Sequence, residues 1–106
     1  MTAWLILFAA GLMEIGWAFG LKQAEGFSRV GFSIATLVCM ILSVVLLGIA
    51  LRTLPLGTAY AVWTGIGTIG TALTGMFLLG EGFDPLRLAC VGLIVVGIAG
   101  LKILTP

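Results

Sequence analysis

The sequence has 106 residues, of which 61% are hydrophobic and only 8% are charged, with five Lys or Arg, four Asp or Glu and no His. A soluble domain of this length carries about 25% charged residues, so the composition indicates a membrane protein and excludes a soluble enzyme. Without His and with only two Cys, the chain offers neither a zinc site nor a His-dependent catalytic triad, and we expect no metal and no cofactor. The lack of a basic cluster argues against nucleic-acid binding.

Four apolar runs, separated by short polar breaks, predict four transmembrane helices. A spanning helix needs about 20 apolar residues, because a helix rises about 1.5 Å per residue and the hydrocarbon layer is roughly 30 Å thick. Pro and Gly in the breaks favour turns over continued helix. The predicted helices cover residues 3–21, 30–51, 58–79 and 86–103. Residues 1–106 are therefore predicted to form a single all-α transmembrane domain.

The basic residues of the breaks and helix ends are nearly balanced between the two sides of the membrane. One side carries Lys22, Arg29 and Arg87, and the other carries Arg52 and Lys102. An excess of Lys and Arg on one side normally sets the orientation of a membrane protein. A weak but single orientation is one interpretation. Because four short helices can hardly enclose a polar pathway alone, we favour dual topology, in which the chain forms an antiparallel homodimer with an inverted copy.

Eight of the nine charged residues lie in the breaks or at helix ends, whereas Glu14 lies near the middle of the first predicted helix. A charge there costs about 2.5 kcal/mol or more, and such residues usually mark the path of an ion or substrate. Gly11 and Trp17 share its helix face, so a small residue leaves space beside the carboxylate and an indole N–H can donate to it. This site could hold a proton or a cation in turn, as a proton-coupled carrier requires. The alternative is a protonated Glu14 that only packs against a neighbouring helix.

The third predicted helix carries a second polar stripe. Tyr60, Trp63, Gly67 and Thr71 recur at spacings of three and four residues, which places them on one face. Trp63 lies inside the helix and is expected to point toward a cavity. Gly65 and Gly67 weaken the helix, either to allow close helix packing or to form a hinge.

The second and fourth predicted helices carry fewer polar groups. Ser43 lies in the middle of the second helix, and its hydroxyl could bond a carbonyl of its own helix, a frequent arrangement in membranes. The fourth helix has small residues, among which Cys90 and Gly97 lie seven apart on one stripe. Small residues allow helices to approach closely, so we predict that this helix forms the dimer interface.

Together these residues resemble the small multidrug resistance family of proton-coupled transporters. The resemblance covers essentially the whole chain and rests on four short spans, Glu14, the stretch Pro55-x-Gly57-x-Ala59-Tyr60-Ala61-x-Trp63, and Gly65-x-Gly67. Within the family, Gly11-x-x-Glu14-x-x-Trp17 together with Ser43 is similar to the guanidinium-exporter branch. The drug-exporting branch usually has a small residue in place of Trp17 and an aromatic residue in place of Met40.

The resemblance implies a function, a site and a location. Two copies of Glu14 in an antiparallel homodimer would exchange protons for guanidinium or small guanidinyl cations across the bacterial inner membrane. Trp17, Ser43 and Trp63 would hydrogen-bond and orient the carboxylate, Tyr60 would complete the pocket, and the Gly65-x-Gly67 segment would match a family kink. Two alternatives stay open: an exporter of quaternary ammonium or aromatic cations, and a non-transporting subunit of a heteromeric membrane transporter.

Overall fold

The computed structural model describes residues 2–82 and 84–105, and the helices in these ranges are α1 (Thr2–Gln23), α2 (Val30–Ala50), α3 (Leu56–Leu78) and α4 (Pro85–Leu104). They contain 20 to 23 residues and are therefore about 30 to 35 Å long. Each is long and apolar enough to cross a membrane, which confirms the prediction of four spanning helices. Every helix end lies within two residues of its predicted place.

The starts of α3 and α4 are set by proline. Pro55 has an extended backbone, with φ −61° and ψ 142°, and α3 begins at the next residue, two residues before the predicted start. Pro85 occupies the first turn of α4, where its missing N–H removes no helical hydrogen bond. The Asp84 carboxylate accepts a hydrogen bond from the Leu86 backbone N–H at 2.9 Å, which caps α4. These local bonds fix where the chain turns back into the membrane.

The helices are arranged in a row in the order α2, α1, α3, α4. α1 packs against both α2 and α3, whereas α4 packs on α3 and contributes no buried residue. The Cα trace measures 43 × 34 × 17 Å, so the chain is a thin layer. Large apolar side chains remain exposed along α2 and α4. In a membrane, such faces contact lipid or a second chain.

Glycine allows α1 to approach its neighbours closely. A Cβ atom on Gly11 would lie 2.6 Å from Ile66 Cγ2, and one on Gly70 would overlap Ile15. On the opposite side of α1, a Cβ on Gly20 would lie 2.5 Å from Thr36 Oγ1. Helices in lipid associate through this kind of close packing, because no hydrophobic effect drives them together there.

Candidate functional site

Glu14 lies about 2 Å from the midpoint of α1 along the helix axis. Its side chain reaches Gly67, which is the central residue of α3. A Cβ atom at Gly67 would lie 2.5 Å from the carboxyl carbon of Glu14 and 2.6 Å from its Oε1. Only glycine therefore leaves room for this carboxylate against the middle of α3.

The carboxylate has unused hydrogen-bonding capacity. Glu14 Oε2 is buried without a hydrogen-bond partner among the described residues, and so is Trp17 Nε1, about one turn further along α1. Buried polar groups in native proteins are nearly always paired with protein, water or ligand. An acceptor and a donor that lie near each other without partners indicate a place where something else binds.

A cleft of about 410 Å³ opens beside Glu14, within the range of small-molecule sites. It is bounded by α1, α3 and the residues after α3, and its lining consists of Glu14, Ala18, Gly67, Thr68, Thr71, Ala72 and Glu81. The lining side chains include two carboxylates and two hydroxyls but no basic group. From Glu14 the cleft runs toward the membrane side where α1 and α3 end, which is also the side of the α1–α2 and α3–α4 loops.

A hydrogen-bonded network crosses three helices on the other side of Glu14. The fully buried Ser43 Oγ donates to the Ala10 carbonyl oxygen at 2.8 Å, and Trp63 Nε1 donates to Ser43 Oγ at 2.9 Å. The edge of the Tyr60 ring meets Trp63, with ring centroids 5.5 Å apart and an interplanar angle of 69°. The structure thus brings Ser43, Trp63 and Tyr60 together about one helical turn from the carboxylate.

This arrangement differs from the expected direct hydrogen bonds between the carboxylate and Trp17, Ser43 and Trp63. Within the described chain the Ser43 proton is directed to Ala10 and the Trp63 proton to Ser43, while Trp17 Nε1 bonds neither to Glu14 nor to any other described group. Ser43 also does not bond its own helix, the alternative that the sequence left open.

Ser43 is connected to Glu14 through the backbone of α1 instead. The Ala10 carbonyl is the one that accepts the Glu14 N–H in the regular i to i−4 pattern of α1. The Ser43 hydroxyl therefore bonds the helical turn that carries the carboxylate. It stays a prediction that substrate or proton binding involves Trp17, Ser43, Tyr60 and Trp63.

The other predicted glycines have packing roles in the structure. The space expected beside Gly11 is filled by Ile66, and a Cβ on Gly65 would lie 2.8 Å from Ile98 Cδ1 of α4. α3 runs as one continuous helix through Gly65 and Gly67, so a hinge there stays a prediction. On α4, Cys90 is exposed and Gly97 has no neighbour within 4 Å of a built Cβ, so this stripe is free within the described chain.

Two parts of the site were not found from the sequence. Glu81 falls between the third and fourth predicted helices, and no binding role was predicted for it, although it lines the cleft of Glu14. Its signal was the preceding Gly80, a residue type that often turns the chain back at a helix end. Nothing in the sequence indicates the role of the Ala10 carbonyl, because every residue contributes the same backbone oxygen.

Comparisons with known proteins give consistent matches. Residues 2–94 match the family model described as Small Multidrug Resistance protein. A protein named guanidinium exporter from Citrobacter freundii is 56% identical over 103 residues, covering 97% of this chain and 98% of the relative. Proteins of the same name from Salmonella typhimurium and Escherichia coli (strain K12) match with the same identity and coverage.

Proposed function

The chain belongs to the Small Multidrug Resistance protein family, and from this premise we propose that it exports guanidinium and small guanidinyl cations in exchange for protons. Its four apolar helices and its family make it a multi-pass protein of the bacterial inner membrane. The observation that carries the proposal is the Glu14 carboxylate at mid-membrane, with one buried oxygen that has no partner, beside a cleft without basic groups.

Guanidinium matches the chemistry of this site. It is planar, permanently charged and donates through paired N–H groups, which a carboxylate accepts in a bidentate manner. A buried anion without a partner is unfavourable in lipid, so Glu14 is expected to hold either a cation or a proton. These two occupants exclude each other at one carboxylate, and this exclusion couples export of the cation to import of protons.

We further propose that the working unit is an antiparallel homodimer with two Glu14 carboxylates at a shared site. The cleft beside Glu14 is open on one side of the single chain, so a second chain is needed to cover it. The nearly equal numbers of basic residues on the two sides support insertion in both orientations. Cys90 and Gly97 on the exposed face of α4 would provide close contact with the inverted copy.

Proteoliposomes containing the purified protein test the transport proposal. Outward guanidinium movement should drive proton movement in the opposite direction, and Glu14→Gln should abolish both, because the amide can neither pair with the cation nor exchange a proton. Glu25→Gln is the matched control, since Glu25 pairs with Arg29 at 3.4 Å in the α1–α2 loop and does not line the cleft. Coupled transport that survives Glu14→Gln would contradict the mechanism.

The same preparation separates guanidinium from bulkier cations. We expect tetraalkylammonium and aromatic cations to be carried much less efficiently than guanidinium, since they lack forked N–H donors. Preferred transport of these cations would instead identify a multidrug exporter. No transport of any cation by the purified homodimer would favour a subunit that works only with a different partner.

A further inference from the structure

Glu14 and Glu81 are the two acidic residues whose carboxylates have no polar partner among the described residues. Glu25 pairs with Arg29, and Asp84 caps α4 through Leu86. The two remaining acids line the same cleft. Glu81 is exposed, and its place in the lining of this cleft distinguishes it from Glu25 and Asp84.

Two glycines hold Glu81 over the end of α3. Gly80 has a φ of 70°, a left-handed conformation that glycine adopts without strain. This turn lets the Glu81 backbone N–H donate to the Gly75 carbonyl oxygen at 2.9 Å. A Cβ atom at Gly75 would overlap Glu81 Oε1, so the carboxylate rests on the helix where a side chain would otherwise stand.

The carboxylate lies at the membrane-surface end of the cleft. Gly67 and Gly75 are separated by roughly 12 Å along α3, so the cleft joins a central carboxylate to a peripheral one. Thr71 lies between them and lines the same cleft. The carbonyl end of α3 adds partial negative charge at Glu81, which favours cations there.

Arg87 is a basic residue close to this arrangement. It shares with Glu81 a neighbouring cleft of about 380 Å³ between α3 and α4. No ion pair joins them within 4 Å, the one such pair in residues 2–82 and 84–105 being that of Glu25 with Arg29. The Glu81 charge is therefore available to a mobile cation.

We propose that Glu81 captures the substrate cation at the mouth of the cleft and raises its concentration beside Glu14. This inference rests on the proposed transport function and adds a second acidic residue to its path. A charge at the mouth of a cleft concentrates opposite charge and speeds association, an effect that salt weakens. Glu81 contacts the cation before the cation reaches Glu14, and Glu81 takes no part in proton exchange.

The test is guanidinium transport by the full-length protein in proteoliposomes at low ionic strength. Glu81→Gln is expected to raise KM about threefold to tenfold with little change in maximal rate, because capture is lost while Glu14 is intact. In about 1 M salt, where the Debye length is about 3 Å, the difference from wild type should disappear. A residue with a purely structural role would instead lower the maximal rate at every salt concentration.

Two further variants complete the test. Gly75→Ala keeps the charge but pushes the Glu81 carboxylate off α3, and should raise KM in the same salt-dependent way. Glu25→Gln removes one negative charge from the same side of the membrane and should leave KM unchanged. Equal KM values for Glu81→Gln and wild type at low salt, or an equal rise in Glu25→Gln, would overturn the proposal. Neither result would affect the transport proposal, which fails only if wild type does not transport or Glu14→Gln does.

Discussion

The single hydrogen atom that serves as the Gly67 side chain determines where the Glu14 carboxylate can lie. A Cβ atom there would stand 2.5 Å from the carboxyl carbon, well inside van der Waals contact. Because Gly67 is the central residue of α3, the contact also fixes the depth of the carboxylate in the membrane. Alanine at this place would force Glu14 away from α3 and change the shape of the cleft.

We therefore expect Gly67→Ala to reduce guanidinium transport more than tenfold, a loss typical of a misplaced binding group. Alanine favours helix over glycine, so the variant should still fold and insert. Gly48→Ala is the control, because Gly48 lies in α2 with no atom within 4 Å of a built Cβ. Initial rates in proteoliposomes, normalised to inserted protein, check the prediction. Rates for Gly67→Ala that equal those of Gly48→Ala would show that this contact is unimportant.

At the scale of elements, α1 and α3 are held together by alternating glycine and isoleucine. Ile66 fills the space over Gly11, and Ile15 fills the space over Gly70. The pairs lie on opposite sides of the Glu14–Gly67 contact along the helices, so they set the separation of the two backbones around the carboxylate. The precision of the site thus depends on apolar packing several ångströms away.

This arrangement predicts coupling between Gly70 and Ile15. Gly70→Ala should destabilise the protein by about 1 to 3 kcal/mol, the usual effect of overpacking. Ile15→Ala removes the atoms that the new methyl group meets, so the double variant should be more stable than the sum of the single changes predicts. Unfolding in detergent measures the free energies of all four proteins. Additive losses would mean that the two residues do not share one contact.

The spans were predictable from the sequence, whereas the order of the helices was not. Apolar runs and the prolines at residues 55 and 85 mark where helices begin, because proline and the bilayer thickness act locally. A helix that is apolar on all sides carries no periodic pattern to show which face meets its neighbour. The row α2, α1, α3, α4 therefore emerges only from three-dimensional packing.

The site was predictable in part for a related reason. Glu14 stands out because a charge in lipid is unfavourable, and Trp63 stands out as a polar aromatic residue inside a span. The actual partner of Ser43 is the Ala10 carbonyl, and no residue type signals a backbone oxygen. Glu81 lies near the cleft because Gly80 turns the chain back, a geometric effect that spacing along the sequence does not show.

At the scale of the whole molecule, the proposed competition between proton and cation at Glu14 predicts a definite pH dependence of guanidinium binding. A proton neutralises the carboxylate that the cation needs, so affinity should fall as the pH is lowered. For each proton displaced by the cation, the apparent Kd changes by at most about tenfold per pH unit. Isothermal titration of the detergent-solubilised protein across pH measures this slope. An affinity that is independent of pH would show that the proton and the cation do not compete for Glu14.

The proposed antiparallel homodimer predicts complementation between chains of opposite orientation. Gln23→Lys with Ser28→Lys adds positive charge to one side of the membrane and should fix a single orientation. The double change Arg29→Gln and Arg87→Gln removes positive charge from that side and should favour the opposite orientation. Each biased chain alone should lose most transport, and co-expression should restore it, as measured by guanidinium efflux from cells. Full activity of either chain alone would argue against an inverted pair.

The bond between Ser43 and the Ala10 carbonyl limits how the transporter can move. It joins α2 to α1, and the Trp63 indole joins α3 to the same hydroxyl. The buried Ser43 oxygen therefore connects three helices at one depth in the membrane. α4 takes no part in these hydrogen bonds; it packs mainly on α3 and contacts α1 where Lys102 lies over the Trp4 ring. Any motion that turns Glu14 toward the opposite side of the membrane must either break these two hydrogen bonds or move α1, α2 and α3 together as one rigid body.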